Sequence, residues 1–227
     1  IEKGSTDSNS QIIQREILEK TVIGTFEQNL IDQGLTNIQE IDSTILVDLK
    51  YSTIDNFFGK DVYGNLEKAY LPLDVSEKLL AVNRQLRREN PNFRLMVFDA
   101  VRPQSIQQIL WDALDTIPVN VRKAYVADPK IGSLHNYGCA VDLSIFDLST
   151  DSLLDMGTHY DYFGYLAYPR KEDEMLAKGL LSKDQIENRL VLRNLMRNGG
   201  FISIKSEWWH FNSVSLENAQ REYPLIK

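Results

Sequence analysis

Two short segments of the sequence carry the residue types from which a catalytic metal site can be built. The first segment is Ser133-Leu-His-Asn-Tyr-Gly-Cys-Ala-Val-Asp142, and the second, far downstream, is Glu207-Trp-Trp-His210. Two imidazoles and one carboxylate, from His135, Asp142 and His210, give three ligands and leave one position open for water, as at catalytic zinc. Neutral imidazole ligands keep net positive charge on the metal, and that charge acidifies the water. The pattern is therefore compatible with one Zn²⁺ ion per chain.

Each histidine taken alone also has a structural interpretation. The chain contains three histidines, and a histidine close to apolar residues is more often packed and hydrogen-bonded than bound to a metal. Trp208 and Trp209 are more typical of a hydrophobic core than of a surface that stacks on a cofactor. The residue types by themselves therefore leave the choice between a metal centre and a buried polar cluster open.

The first segment runs into a predicted strand that orients its carboxylate. Residues 139–145 are mostly apolar, and alternate side chains of a strand point to the same face. Asp142 therefore shares a face with Ala140 and Ser144, whose small side chains leave room for an ion. His135 precedes the strand across a turn that contains a glycine, so it can fold back towards Asp142.

The second segment sets a geometric condition on its glutamate. Residues 201–211 are predicted to form one or two strands, with His210 on the last of them. Glu207 lies three residues before His210 and therefore points to the opposite face of an ideal strand. It reaches a water at the metal only if it lies at a strand end or at a bulge.

The remaining periodicities predict a mixed fold in one domain. Helices are expected at residues 12–34, 74–89, 104–114 and 182–199, and strands at 45–49, 94–98, 139–145 and 201–211. Asp74 with Glu77 and Ser182 with Gln185 have the spacing of capping boxes at helix starts. Since helices and strands do not alternate regularly, we predict an α+β fold in which a central antiparallel sheet carries the zinc site and helices flank it.

Length, charge and cysteine usage narrow the functional classes. A chain of 227 residues can bury one sizeable core, and a formal net charge of −7 argues against a nucleic-acid surface. No apolar run approaches the roughly 20 residues of a membrane span. The one cysteine, Cys139, excludes an internal disulfide framework, and no base is placed to make it a nucleophile. We therefore expect a globular protein that neither binds nucleic acid nor spans a membrane.

The two segments together resemble a known peptidase superfamily. Ser-x-His-x-x-Gly-x-Ala-x-Asp followed downstream by Glu-x-x-His is similar to the pattern of the zinc D-alanyl-D-alanine peptidases, peptidase family M15. Further matches favour the VanX-type D,D-dipeptidases of that group. They are the segment from Tyr51 to Phe57, the turn Asp99-Ala-Val-Arg102-Pro103, and the loop with Tyr160-Asp161-x-Phe163. The resemblance covers roughly residues 45–212.

The resemblance implies a role for each candidate residue. His135, Asp142 and His210 match the zinc ligands. Glu207 matches the general base, and Arg102 matches a residue that stabilises the transition state. Three further positions match groups that line the substrate site: Ser133, Asp161 and Tyr51.

These roles imply zinc-dependent hydrolysis of a small D,D-dipeptide, D-alanyl-D-alanine. A dipeptidase must recognise both ends of its substrate, with Asp161 for the free ammonium group and Ser133 for the carboxylate. A D,D- or L,D-carboxypeptidase acting on peptidoglycan peptides, which needs no partner for an ammonium group, is the first alternative. A non-catalytic zinc-binding module, which could lose Glu207 or Arg102, is the second.

The chain divides into a short polar start and one larger domain. Residues 1–11 are polar, and residues 12–227 are assigned to the zinc D,D-dipeptidase domain, with a helical extension over about residues 12–44. The start at Ile1 looks like a cut end, so we keep open the alternative of a removed export signal. The resemblance then implies a bacterial protein of the periplasm or cell envelope, or, without such a signal, of the cytoplasm.

Overall fold

The secondary structure comes from a computed structural model that describes residues 24–123 and 125–227. The strands are β1 (Thr36–Asn37), β2 (Leu46–Val47), β3 (Tyr70–Leu71), β4 (Phe93–Asp99), β5 (Ala140–Asp147), β6 (Ser152–Leu153), β7 (Ile202–Ser203) and β8 (His210–Asn212). The α-helices are α1 (Thr25–Asp32), α2 (Ile38–Ile41), α3 (Leu73–Glu89), α4 (Gln104–Asp112), α5 (Val119–Arg122), α6 (Glu172–Ala177), α7 (Lys183–Asn198) and α8 (Leu216–Glu222). Short 3₁₀-helices lie at Lys50–Ser52, Leu134–Tyr137, Tyr165–Ala167 and Pro169–Lys171.

A mixed sheet at the centre of the molecule holds the longest strands. The strand order is β2-β4-β5-β8-β7, and β6 pairs with one end of β5. β2 runs parallel to β4, whereas the other neighbours in this sheet are antiparallel. The fold is therefore α+β with a mostly antiparallel central sheet, as the sequence predicted, and β2 is the parallel exception.

Apolar side chains of β4, β5 and α3 form much of the core. α3 buries Val75, Leu79, Val82 and Leu86 at the spacing of three to four residues that is typical of an amphipathic helix. This helix packs on β4 and against α7. β5 is buried over most of its length, so Asp142 in the middle of that strand is fixed inside the core.

Helix starts confirm one predicted capping box and correct the other. Ser182 Oγ accepts a hydrogen bond from the Gln185 N–H at 3.1 Å, and the Gln185 side-chain oxygen accepts one from the Ser182 N–H at 2.8 Å. The capping box predicted from Asp74 is wrong, because α3 begins one residue earlier, after Pro72, and no side chain caps it. The Asp74 carboxylate instead accepts a hydrogen bond from the Tyr223 hydroxyl at 2.6 Å.

The predicted N-terminal extension is only partly helical where the structure describes it. Residues 1–23 lie outside the described residues, and with them the polar segment and the first half of the helix predicted at 12–34. α1 begins directly after Gly24 and ends two residues before Gly34, whose φ of 79° favours glycine. Residues 24–44 contain α1, β1 and α2. None of the helices within the described ranges is long and apolar enough to cross a membrane.

Candidate metal centre and active site

The turn before β5 presents His135 to the interior. Ser133 caps the 3₁₀-helix at Leu134–Tyr137, since its hydroxyl accepts a hydrogen bond from the His135 N–H at 3.3 Å. Gly138 ends this turn with a φ of 64°, a conformation that favours glycine. The His135 ring is buried, and its Nδ1 lies 2.6 Å from the Ala100 carbonyl oxygen. A carbonyl oxygen only accepts, so Nδ1 carries the proton and Nε2 keeps its lone pair for a metal.

Adjacent strands bring the other two predicted ligands together. In the register of β5 with β8, Asp142 lies directly opposite His210. Asp142 Oδ1 is 2.9 Å from His210 Nδ1 and 3.3 Å from His135 Nε2, and these two nitrogens are 3.2 Å apart. His210 Nε2 lies 2.7 Å from Asn212 Oδ1, which accepts its hydrogen bond and leaves Nδ1 for a metal.

This set of donor atoms fits a zinc ion. The ligand atoms of His135, Asp142 and His210 lie within 4.8 Å of one another. Each imidazole proton is held on the nitrogen that faces away from the cluster, which is the usual arrangement behind metal-bound histidines. Burial by itself would raise the pKa of Asp142, but the neighbouring His135 and His210 hold it well below its usual range. Asp142 is therefore ionised at neutral pH, and the ionised carboxylate is the form that binds a metal.

Arg102 lies beside these ligands in a buried ion pair. Its Nε and Nη2 donate to Asp99 Oδ2 at 2.8 and 2.5 Å, and Nη2 is 3.5 Å from Asp142 Oδ2. The guanidinium also lies over the Tyr51 ring, 4.9 Å from the ring centre. Both Arg102 and Asp99 are buried, so little solvent screens the pair. Asp99 thus holds the permanent positive charge of Arg102 in one orientation next to the candidate metal ligands.

Glu207 meets the geometric condition that the sequence set for it. β8 begins at His210, so Glu207 lies in the loop before the strand. Its Oε2 is 3.9 Å from His210 Nδ1, which is one of the candidate ligand atoms. Desolvation in this site raises the pKa of Glu207 to about 7, although the adjacent His210 opposes the shift. A carboxyl group with this pKa can take up and release a proton near neutral pH.

Asp161 is held by a hydrogen bond from Tyr51. The Tyr51 hydroxyl donates to Asp161 Oδ2 at 2.9 Å. The Asp161 backbone has a φ of 57°, a left-handed conformation that aspartate tolerates better than most residues. Burial raises the pKa of Asp161 to about 7, although the positive charge of Arg102 opposes the shift. A carboxylate in this position is stabilised by any further positive group that binds next to it.

The structure brings all of the predicted site residues to one cleft of about 460 Å³. They are Tyr51, Arg102, Ser133, His135, Asp142, Asp161, Glu207 and His210. Aromatic side chains form another part of the wall: Tyr125, Tyr162, Phe163, Tyr168 and Trp209. A cleft of this size, with a few polar groups among aromatic ones, is typical of sites for small molecules.

Two contacts at the site were not predicted from the sequence. Asn212 accepts the hydrogen bond of His210. The Tyr160 hydroxyl donates to Asp142 Oδ2 at 3.0 Å. Tyr160 lies inside a motif that carries the resemblance, but its partner could not be read from the motif. The alternation of side chains along a strand would have placed Asn212 on the same face as His210.

The remaining histidine and the cysteine lie outside this chemistry. His159 is exposed, its Nδ1 bonds to the Tyr160 carbonyl, and its ring packs against Tyr162. Cys139 is buried, and burial raises the pKa of its thiol to about 12. A thiol with this pKa is not ionised at neutral pH, so Cys139 is a packed residue and not a nucleophile.

The α+β fold and this cleft define a candidate metal-dependent hydrolase. Three candidate metal ligands, the Glu207 carboxyl group and the fixed positive charge of Arg102 all line the same cleft. Comparison with known proteins identifies the family of the chain. Residues 32–225 match the peptidase M15 family described as D-Ala-D-Ala dipeptidase. The match spans most of the chain, so the protein belongs to this family and is a peptidase. The resemblance predicted from the motifs is confirmed.

Individual relatives with this description are bacterial proteins. A D-alanyl-D-alanine dipeptidase of Escherichia coli (strain K12) is 31% identical over 193 residues, which cover 85% of this chain and 89% of the relative. One of Enterococcus faecium is 29% identical, covering 78% of this chain and 90% of the relative. One of Enterococcus faecalis (strain ATCC 700802 / V583) is 27% identical, covering 81% and 93%. The similarity therefore extends over nearly the whole length of these relatives.

Proposed function

We propose that the protein hydrolyses D-alanyl-D-alanine and that His135, Asp142 and His210 hold one Zn²⁺ ion for this reaction. The observation that carries the proposal is the set of three ligand atoms within 4.8 Å of one another, next to Glu207 in a single cleft. The D-alanyl-D-alanine dipeptidases among the relatives support the substrate. Zinc at this site supplies a Lewis acid that polarises the scissile carbonyl and acidifies the attacking water.

The carboxyl groups next to the candidate metal ligands favour groups that carry positive charge. Asp142, Asp161 and Glu207 line the cleft together with three cations, Arg102, Lys123 and Arg170. Arg102 is already paired with Asp99, and Lys123 lies 3.6 Å from Asp128. Burial raises the pKa values of Asp161 and Glu207 to about 7, which means that their charged forms lack compensation. A divalent metal ion and the ammonium group of a free dipeptide together supply that compensation.

Glu207 and Arg102 have separate tasks in the reaction. Glu207 lies 3.9 Å from a ligand atom of His210, so it is placed to take the proton of the attacking water. Protonated Glu207 then gives the proton to the leaving amine. Arg102, held by Asp99, presents a fixed positive charge to the oxyanion that develops on the carbonyl oxygen.

Asp161 gives the reaction its preference for a free dipeptide. Its partly buried carboxylate gains a charge-assisted hydrogen bond from the substrate ammonium group, worth about 1.5–3 kcal/mol. An N-acylated substrate offers no such group and leaves Asp161 with the Tyr51 hydroxyl but without a compensating ammonium group. At the other end of the substrate, Ser133, which also lines the cleft, donates a hydrogen bond from its hydroxyl to the substrate carboxylate.

The preference for a free amino terminus tests the proposed substrate. We expect kcat/KM for D-Ala-D-Ala to exceed that for N-acetyl-D-Ala-D-Ala by roughly 10–100-fold, because the charge-assisted hydrogen bond is lost. Asp161→Asn is expected to raise KM for the dipeptide and to reduce the difference in kcat/KM between the free and the N-acetylated dipeptide. Asp151→Asn, an exposed aspartate that does not line the cleft, is the control and is expected to change neither. Equal values in the wild type would refute the dipeptidase proposal and favour a carboxypeptidase.

Metal content tests the proposed ligand set. The purified protein is expected to carry about one zinc per chain, as at a mononuclear catalytic site. His210→Ala removes one of the three ligands and is expected to lose the metal. His159→Ala removes an exposed imidazole outside the ligand set and is expected to keep it. Elemental analysis that finds full zinc occupancy in His210→Ala would overturn the assignment.

A further inference from the structure

Three buried tyrosines each donate a hydroxyl hydrogen bond to a different carboxylate at the site. The pairs are Tyr51 with Asp161 at 2.9 Å, Tyr63 with Asp99 at 2.7 Å, and Tyr160 with Asp142 at 3.0 Å. Their rings are packed edge to face, with centres 5.9 Å apart for Tyr51 and Tyr63 and 6.3 Å apart for Tyr51 and Tyr160. The tyrosines form one aromatic cluster, but each hydroxyl has its own acceptor. Only the Tyr160 hydroxyl reaches a predicted metal ligand.

The two oxygens of Asp142 have different surroundings. Oδ1 faces the two imidazole nitrogens, at 3.3 Å from His135 and 2.9 Å from His210. Oδ2 accepts the Tyr160 hydroxyl and lies 3.5 Å from the Arg102 guanidinium. A carboxylate without such contacts turns easily about its last torsion, which is broad for aspartate. The Tyr160 hydrogen bond and the nearby guanidinium charge therefore hold the carboxylate with Oδ1 directed towards the other candidate ligands.

Packing fixes the Tyr160 ring where its hydroxyl meets this oxygen. The ring is buried between aromatic neighbours, with centres 5.3 Å from Phe98 and 5.5 Å from Trp209. A tyrosine hydroxyl keeps its proton at neutral pH, so it is a donor with one hydrogen to give. That hydrogen is donated to Asp142 Oδ2. The packed position of the ring already gives the hydrogen-bond distance, so the ring does not have to move.

We propose that Tyr160 is a positioning residue of the metal centre, which strengthens zinc binding by holding Asp142 in its ligand orientation. The inference rests on the proposed function, because it requires zinc at His135, Asp142 and His210. Groups that hydrogen-bond to metal ligands typically contribute about 10–100-fold to metal affinity. Tyr160 thus affects the metal centre through Asp142, without contacting the substrate or the reacting atoms.

Zinc affinity of Tyr160→Phe tests this role. Zinc is titrated into the metal-free full chain in competition with a chromophoric chelator, for the wild type, Tyr160→Phe and Tyr70→Phe. Phenylalanine keeps the packed ring and removes only the hydroxyl. Tyr70→Phe is the matched control, because it removes a buried hydroxyl that donates at 2.6 Å to Glu27, a carboxylate that does not line the cleft. We expect zinc binding to weaken about 10–100-fold in Tyr160→Phe, and to stay near the wild-type value in Tyr70→Phe.

Thermal unfolding of the metal-free proteins separates positioning from a general loss of stability. If Tyr160 positions Asp142, Tyr160→Phe binds zinc more weakly than the control variant. This difference is expected even if the metal-free unfolding midpoints of the two variants fall by similar amounts. Equal zinc affinity of Tyr160→Phe and the wild type would overturn the role of Tyr160 and leave the proposed function intact. The same loss of affinity in both variants would also overturn it. A wild-type protein that binds no zinc would overturn the proposed function and the role of Tyr160 together.

Discussion

Replacing Glu207 with glutamine is expected to abolish most of the turnover of D-Ala-D-Ala and to leave the zinc content at about one per chain. General acid–base catalysis contributes typically about 10²–10⁴-fold, so we expect kcat to fall by about 10³-fold. Glutamine keeps the shape of the side chain but cannot take a proton from the attacking water. Glu207 is not one of the three clustered ligand residues, so metal binding does not depend on it. Both kcat and zinc content are measured on the same preparation.

A second glutamate provides the control for this substitution. Glu174 on α6 pairs with Lys171 and Lys178 at the surface, so Glu174→Gln is expected to leave kcat unchanged. A near-normal kcat in Glu207→Gln would show that another group is the base. Loss of zinc together with activity would make Glu207 a ligand.

Replacing Arg102 with lysine is expected to lower kcat on the order of 10²-fold, the typical effect of removing one group that stabilises an oxyanion. Arg102 binds Asp99 through two nitrogens and still reaches Asp142 Oδ2 at 3.5 Å, which a single ammonium group cannot reproduce. Lysine keeps a positive charge next to buried Asp99, so the interior does not lose its charge balance. Because the oxyanion exists only in the transition state, kcat is expected to fall more than KM rises.

Steady-state kinetics at saturating zinc, with unfolding curves of both proteins, check this expectation. Arg84→Lys changes an exposed arginine on α3 that does not line the cleft and is expected to leave both constants unaltered. An unchanged kcat with a raised KM in Arg102→Lys would instead assign Arg102 to binding of the ground-state substrate.

The local placement of the candidate metal ligands could be predicted in part, because it depends on local rules. Strand alternation alone places Asp142 on the face of Ala140 and Ser144, and the structure confirms a buried strand there. The condition on Glu207, that it lie at a strand end, followed from the same period of two. The position of His210 opposite Asp142 depends on the register of β5 with β8, which alternation does not define.

Contacts between distant segments could not be predicted in the same way. The hydroxyls of Tyr63 and Tyr160 reach carboxylates 36 and 18 residues away along the chain, and no local pattern contains those partners. The capping box predicted at Asp74 failed for a related reason. The Asp74 carboxylate accepts a hydrogen bond from Tyr223, near the other end of the chain. This tertiary contact outweighs the local sequence preference for a helix cap.

The most direct measurement of the central claim is product analysis on two substrates, D-Ala-D-Ala and a longer peptide that ends in D-Ala-D-Ala. The longer peptide presents an amide where the dipeptide presents its ammonium group, so it leaves partly buried Asp161 without that charged partner. The zinc-loaded wild type is therefore expected to convert the dipeptide to free D-alanine and to release little D-alanine from the longer peptide. Rapid release of D-alanine from the longer peptide, with the dipeptide left intact, would contradict the claim that this cleft is a dipeptidase site.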